Sequence, residues 1–408
     1  MQNNKLRMAI RATAAFAALG MASQAYAIDI PTGDWDTSIY GYAAVNAVYD
    51  IDEDIAASTQ AGDFSKINTG DAENDEVTGH FGADAKQTRF GIKTVTPEGV
   101  KIVIEGDARA SDLRLRHAYG EYNGVLAGQY WSNFNSFTGF TPTLDFDSVS
   151  AAGLFDRVAQ LRYTTGPFSV ALEEPKSSIF DITETRTFDP DNTGTPKSSW
   201  DYSEADGSKD SMPTLTARFE DSAGSVSYSA AGLVHQVGYD EGDADDSSMG
   251  YGLFVAGKVA VTDMISIQGS LNYSDGANSY MWRSGENYYA DDAYVAPNGD
   301  VETITTYGGT LGTSINLGNS RSINIVYGMA HNDYDDARKD FAASADSANQ
   351  LPIIDGAAET NQAIFANYQF APVENVTMGV EYQYLMTEDV DGDDGDANRV
   401  MFMAKYSF

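Results

Sequence analysis

No cysteine occurs among the 408 residues. Disulfide frameworks and thiolate metal sites are therefore excluded. Histidine is scarce: His80, His117, His235 and His331 are the only four, and none stands at a metal-ligand spacing. The chain has no G-x-S-x-G elbow and no phosphate-binding loop. It also has no apolar run approaching the ~20 residues that a membrane-spanning helix requires. Basic residues are few, 25 against 60 acidic ones, for a formal net charge of −35. That balance excludes a nucleic-acid partner, which would demand a basic surface. No cofactor is expected, and the protein is read as not an enzyme.

The N-terminus shows where the chain goes. Lys5, Arg7 and Arg11 form a positive region, Ala12 to Gly20 an apolar stretch, and Ala25-Tyr26-Ala27 a small-residue cleavage pattern. This reads as a secretory signal peptide over 1–27, cut after Ala27, with one barrel domain over 28–408. Removing it leaves 381 residues (408 minus 27).

What is abundant is tyrosine (24), glycine (38) and phenylalanine (19), set in short alternating segments. Ile265, Ile267, Gly269, Leu271 and Tyr273 alternate with Ser266, Gln268, Ser270 and Asn272. Val376, Met378, Val380, Tyr382 and Tyr384 oppose Thr377, Glu381 and Gln383. About sixteen such strands are expected from this period-two pattern. Their connections alternate in length. Turns such as Thr96-Pro97-Glu98-Gly99 and Thr165-Gly166-Pro167 are short, whereas 50–84, 131–153, 173–212, 236–249, 274–302, 331–360 and 387–397 are long and mostly acidic. A globular domain has no reason to sort loops by parity. A transmembrane antiparallel β-barrel does, with short periplasmic turns and long acidic extracellular loops. The last strand ends on Phe408, on one face with Val400, Phe402, Ala404 and Tyr406. Closure into a barrel is required because lipid offers no partner to an open strand edge.

Nine basic residues lie between Lys86 and Arg162. Parity turns most of them inward. Leu113 and Leu115 facing lipid put Arg114 and Arg116 in the lumen, and Phe90 and Ile92 outward put Arg89 and Lys93 inward. The same reasoning gives Lys101, Arg109 and Arg162 an inward place, since a lipid-facing Arg or Lys near the midplane costs ~2–4 kcal/mol. Lys86 and Arg157 break the pattern and are expected at the rim or beside a bulge. The connection after the fifth strand, Ser132 to Gly153, holds Phe134, Phe137, Phe140 and Phe146. So aromatic a loop is expected to fold inward as a constriction, setting Asp145 and Asp147 across from the basic wall. The plainer reading is that the arginines pair with Glu105 and Asp107 to stiffen the wall.

The segments Asp36-Thr37-Ser38-Ile39-Tyr40-Gly41-Tyr42, Leu113 to Tyr122, Leu126 to Phe134, Leu144-Asp145-Phe146 and Gln160 to Thr164 resemble the DcaP-like porins, a branch of the trimeric general-porin superfamily. The resemblance covers the first 165 residues. It implies sixteen strands, a homotrimer, an inward third loop and passive uptake leaning to anionic solutes such as dicarboxylates. The expected function is then an outer-membrane diffusion channel for small hydrophilic solutes in a Gram-negative bacterium. The lipid bilayer, lipopolysaccharide and identical subunits are its expected partners, with weak Ca²⁺ binding on the acidic loops. A structural or adhesive barrel is the alternative, and an outer-membrane hydrolase a more distant one, with His235 its nearest candidate base.

Overall fold

In the computed structural model, the largest buried side chains include Arg116 and Arg399, while Leu113, Phe81 and Leu271 are among the most exposed apolar ones. That inversion of a soluble protein follows from strands with lipid on one side and a lumen on the other. The structure describes residues 27–59, 61–73, 78–109, 113–146, 149, 152–187, 197–241, 244–281 and 290–408. Residues 1–26 of the expected signal peptide lie outside them.

Among the described residues, sixteen antiparallel strands close into a barrel. They are β1 (Trp35–Asp50), β2 (His80–Asp84 and Arg89–Val95), β3 (Lys101–Asp107), β4 (Arg114–Tyr122), β5 (Val125–Trp131), β6 (Arg157–Thr165), β7 (Phe168–Glu173) and β8 (Ser208–Lys209 and Thr214–Ala223). There follow β9 (Val226–Glu241), β10 (Ala244–Ala260), β11 (Ile265–Asp275), β12 (Thr305–Gly318), β13 (Arg321–Asp333), β14 (Ala358–Phe370), β15 (Val376–Asp389) and β16 (Asp394–Ser407). Both pieces of β2 pair with β1, and both pieces of β8 with β9. Closure runs from Tyr42↔Ser407 to Asp50↔Arg399, so no sheet edge meets lipid. At the top of that seam, Arg399 and Asp50 form a bidentate pair, Nη2 to Oδ2 being 3.0 Å, with both side chains essentially buried.

Two of the expected long loops are strands instead. β9 and β10 continue pairing to Glu241↔Ala244, and β15 and β16 to Glu388↔Asp394. The first hairpin stands tall because its upper end is packed: Val237 and Tyr239 are buried against Ile179, Ala293, Val295 and Val301. The other outer connections are far from bare solvated tips. Ile179–Thr187, Lys197–Glu204, Ala293–Val295 and Val301–Thr303 form a four-stranded sheet, with Ile179↔Ala293 paired in parallel. Two helices not anticipated from the sequence, α1 (Asp335–Ala343) and α2 (Ser347–Asp355), pack on it around Phe180, Tyr294, Tyr334, Phe341 and Ile354. The result is an extracellular cap with its own core. Buried Asp292 ties it together, accepting from the backbone N–H of Ser178 at 2.9 Å and of Ser279 at 2.6 Å.

Inside the barrel the described parts of the first loop (51–59, 61–73 and 78–79) and of the third (132–146, 149 and 152–156) pack against the wall. Ile55, Phe64, Ile67, Phe134, Val149 and Leu154 pack with inward residues of β9 to β16, among them Leu233, Phe254, Val326, Phe365 and Leu385. Half of the lumen is therefore a hydrophobic core, and water is left the side beside β1 to β6.

Two outcomes follow. Asp50→Ala strands a buried guanidinium and should cost about 3–5 kcal/mol in urea unfolding from lipid vesicles, most of which an added Arg399→Met restores. Desolvation pushes the Asp292 carboxyl, in the extracellular cap, up to about 7. Between the ordinary carboxylate range and that pH the folded cap holds a proton the unfolded chain has released. Cap stability should therefore fall as pH rises through that window. Hydrogen-exchange protection at Ser178 and Ser279, corrected for intrinsic rate, should drop between about pH 4 and about pH 7 and level off above. Asp292→Asn should flatten the dependence.

Candidate channel constriction

Alternation along β2, β3 and β4 carries Arg89, Lys101, Glu105, Asp107 and Arg116 to the inner face. A β-bulge between Glu105 and Gly106 offsets the register with β4 and turns both Arg116 and His117 inward. On the far side, the third loop is held against the wall by buried carboxylates. Glu173 on β7 accepts from Ser132 Oγ at 2.7 Å and the Asn133 N–H at 2.6 Å. Glu381 on β15 accepts from the N–H groups of Leu144 (2.8 Å) and Asp145 (3.0 Å), and from the side chains of Asn367 and Gln383. Glycines let the loop lie close: a Cβ at Gly312 would fall 2.2 Å from Thr141 Oγ1, and one at Gly379 2.9 Å from a Leu144 methyl.

Between loop and wall lies a chamber of about 220 Å³. Its boundary includes Tyr42, Arg89, Lys101, Arg116, His117 and Lys405 on the wall, and Phe137, Phe140, Asp145, Phe146 and Phe155 on the loop. Such a volume is below the ~300–1,000 Å³ of clefts that engulf drug-sized molecules.

The predicted basic residues divide into three groups. Arg114 and Arg116 are paired: Arg114 reaches Asp107 through Nε (3.1 Å) and Nη2 (2.8 Å), and Arg116 reaches Glu105 at 2.8 Å and Asp107 at 2.9 Å. Lys101 sits 3.1 Å from Glu121 and over the Tyr119 ring. To that extent the wall-stiffening arrangement is present. Arg89 differs. Among the described residues its bond is to Gln87 Oε1 at 3.1 Å, and its guanidinium lies 5.1 Å from each of the Tyr42 and Phe146 ring centroids. Arg109, in the short outer loop, also lies over Phe146. Lys93 and Arg162 face inward but do not border the chamber. Arg162 bonds to Gln160 at 2.8 Å and to the Trp131 carbonyl. Asp145 borders the chamber, with Gln383 Nε2 3.3 Å from its carboxylate, and it is Phe146 that lies over the arginines. Asp147 lies outside the described residues.

Lys405 was not grouped with the wall from sequence. It is 243 positions from Arg162 (405 minus 162), and only barrel closure sets β16 beside β1, where its Nζ stands 5.2 Å from the Tyr42 ring centroid. The signal was present in the parity of Met401, Met403 and Lys405. Arg157 turns inward at the outer end of β6 and stacks 4.6 Å from the Trp131 ring centroid, while Lys86 is exposed in the break within β2.

Buried polar atoms bordering this chamber without a protein partner among the described residues include the acceptor Asn46 Oδ1, the ring nitrogen His117 Nδ1 and three donors, Gln87 Nε2, Arg89 Nε and Arg116 Nη2. A buried donor left unpaired costs ~1–3 kcal/mol, so their convergence on one space marks a place for acceptor groups to visit. The lining counts Arg89, Lys101, Arg116 and Lys405 against Glu105 and Asp145, four cations to two anions.

The chain is similar to the outer membrane channel DcaP of Acinetobacter baumannii, at 29% identity over 93% of this chain and 99% of that one, with a TM-score of 0.72. It shares its fold with an anion-selective porin from Comamonas acidovorans (13% identity, 92% and 100% covered, TM-score 0.52). The same holds for OmpF of Salmonella typhi in complex with daunomycin (11% identity, 93% and 100% covered, TM-score 0.52). Neither a protein-family model nor a curated protein sequence matches it. The resemblance to DcaP-like porins is borne out, and the chain is a porin-type barrel of the Gram-negative outer membrane.

Glu105→Gln keeps an acceptor for Arg116 Nε while removing one negative charge from the lining. In planar bilayers under a KCl gradient, the zero-current potential should move toward the chloride equilibrium potential.

Proposed function

We propose that the protein is a passive channel that favours small anionic solutes, mono- or dicarboxylates in size, through the chamber beside β1 to β5. The observation that carries this reading is the set of unpartnered donors on Gln87, Arg89 and Arg116 converging where the lining has a surplus of cations. A carboxylate brings the acceptors and the opposite charge that such a lining lacks. The small chamber favours compact solutes over broad sieving. Likeness to an outer membrane channel supports transport rather than catalysis.

The same reading includes a homotrimer and a leader removed after Ala27. Support for self-association comes from strand length. β3, β5 and β7 have 7, 7 and 6 residues, short of the ~9–11 that a tilted strand needs to cross hydrocarbon. A low wall of this kind is better covered by another protein surface than by lipid.

Zero-current potentials in a KCl gradient test the proposal. Anion preference is the expected wild-type result, and Arg89→Gln should reduce it more than Arg114→Ala, whose guanidinium Asp107 already neutralises. A wild-type channel with firm cation preference at high salt, where the acidic loops are screened within ~3 Å, would remove the anionic reading.

A further inference from the structure

Three guanidiniums gather over one ring. Arg89, Arg109 and Arg116 lie 5.1, 5.3 and 5.4 Å from the centroid of Phe146. They come from β2, from the loop after β3 and from β4, and as like charges they repel one another. A carboxylate in the ring's place would neutralise them and occupy their N–H groups, as Asp107 does for Arg114. A ring acts differently. The negative face of its quadrupole attracts the cations, accepts no conventional hydrogen bond and adds no compensating charge. Arg89 Nε and Arg116 Nη2 accordingly remain without protein partners.

Resting on the anionic reading above, we propose that Phe146 is the positioning residue of a carboxylate site. Its ring bundles the guanidiniums of Arg89 and Arg116 so that their unspent donors address a planar oxyanion in the chamber. The ring itself is held in place from both sides along the loop. Leu144 and Asp145 are fixed to Glu381, and Val149 fits against Gly328, where a Cβ would come 2.8 Å from the Val149 carbonyl oxygen. On its inner side the ring meets Phe155 at 6.0 Å between centroids, in an aromatic cluster with Phe140 and Trp131. The third loop thus contributes a π-face to the site, where the sequence suggested an acid.

The test compares the full-length chain with Phe146→Leu, Phe146→Ala, Phe146→Tyr and trifluorophenylalanine at 146. Each is purified from outer membranes and checked for wild-type heat-modifiable mobility. Chloride current in planar bilayers is recorded while malonate, a compact dianion, is titrated into one compartment. Phe146→Leu keeps bulk and loses the quadrupole. It should weaken malonate block by about tenfold and lower the chloride-to-potassium permeability ratio, with unitary conductance little changed. Phe146→Tyr should stay near wild type and the trifluorinated ring should fall between. Phe146→Ala should lose block and preference like Leu while also raising conductance. Should the alanine barrel fail to form, the near-isosteric fluorinated ring carries the comparison.

Block and permeability ratio unchanged in Phe146→Leu, or untouched by fluorination, would show that the ring only fills space and would overturn the proposal. Failure of the underlying reading looks different: the wild type itself would then show neither anion preference nor malonate block.

Discussion

Two carboxylates that face no cation in hydrogen-bond contact among the described residues hold this channel's geometry. Glu173 and Glu381 are buried on opposite sides of the barrel, and each is satisfied by N–H and O–H donors, several of them from the third loop. A buried charge is tolerated only when it is this fully bonded. The loop in turn has backbone N–H groups that would be costly to leave unpaired inside a barrel. Each needs the other, so the loop crosses the lumen and stays there. Position of the chamber, and of Phe146 within it, follows from that mutual requirement.

Once the loop is pinned, the rest of the inner wall has to answer to it. From β9 to β16 the inward residues include Leu233, Phe254, Val326, Phe365 and Leu385, which would be poor linings for a water column. They are good partners for Phe134, Val149, Leu154 and, from the first loop, Ile55 and Phe64. Glycines at 312, 328 and 379 complete the fit by giving the loop room at the wall. Beside β1 to β6 the inner surface stays charged and hydrogen-bonding. One barrel thus has two interiors, an apolar one that positions the loop and a polar one that borders the chamber.

Strands and closure were legible because alternation and loop parity are local. Arg89, Lys101, Arg114 and Arg116 were placed inward by the same rule, and the structure has them there. The apolar half was not legible, since a period of two cannot tell a residue facing a pore from one facing a folded-in loop. The cap was missed for a related reason. Its acidic segments read as solvated, yet Phe180, Tyr294, Phe341 and Ile354 are spaced among the acids and meet only when three loops assemble. Lys405 was hidden by sequence distance. Pairing within the basic wall was legible as a possibility from Glu105 and Asp107 on the same face, whereas its selectivity, sparing Arg89, depends on a bulge that shifts β4 by one residue.

That selectivity bears on the anion preference proposed above for a strongly acidic protein. Most of its negative charge is carried outside the barrel, on the loops and the cap, where salt screens it within ~8–10 Å under physiological conditions. Along the basic wall most acids are already committed: Glu105 and Asp107 to arginines, Glu121 to Lys101. Paired charges largely cancel at a solute's distance, and what remains uncancelled has more reach in a space walled by aromatic rings than it would in open water. On the proposed reading, preference is set less by the net charge of the polypeptide than by which few donors are left unspent in the chamber. Pairing removes Arg114 from that set, and a ring in place of a carboxylate keeps Arg89 in it.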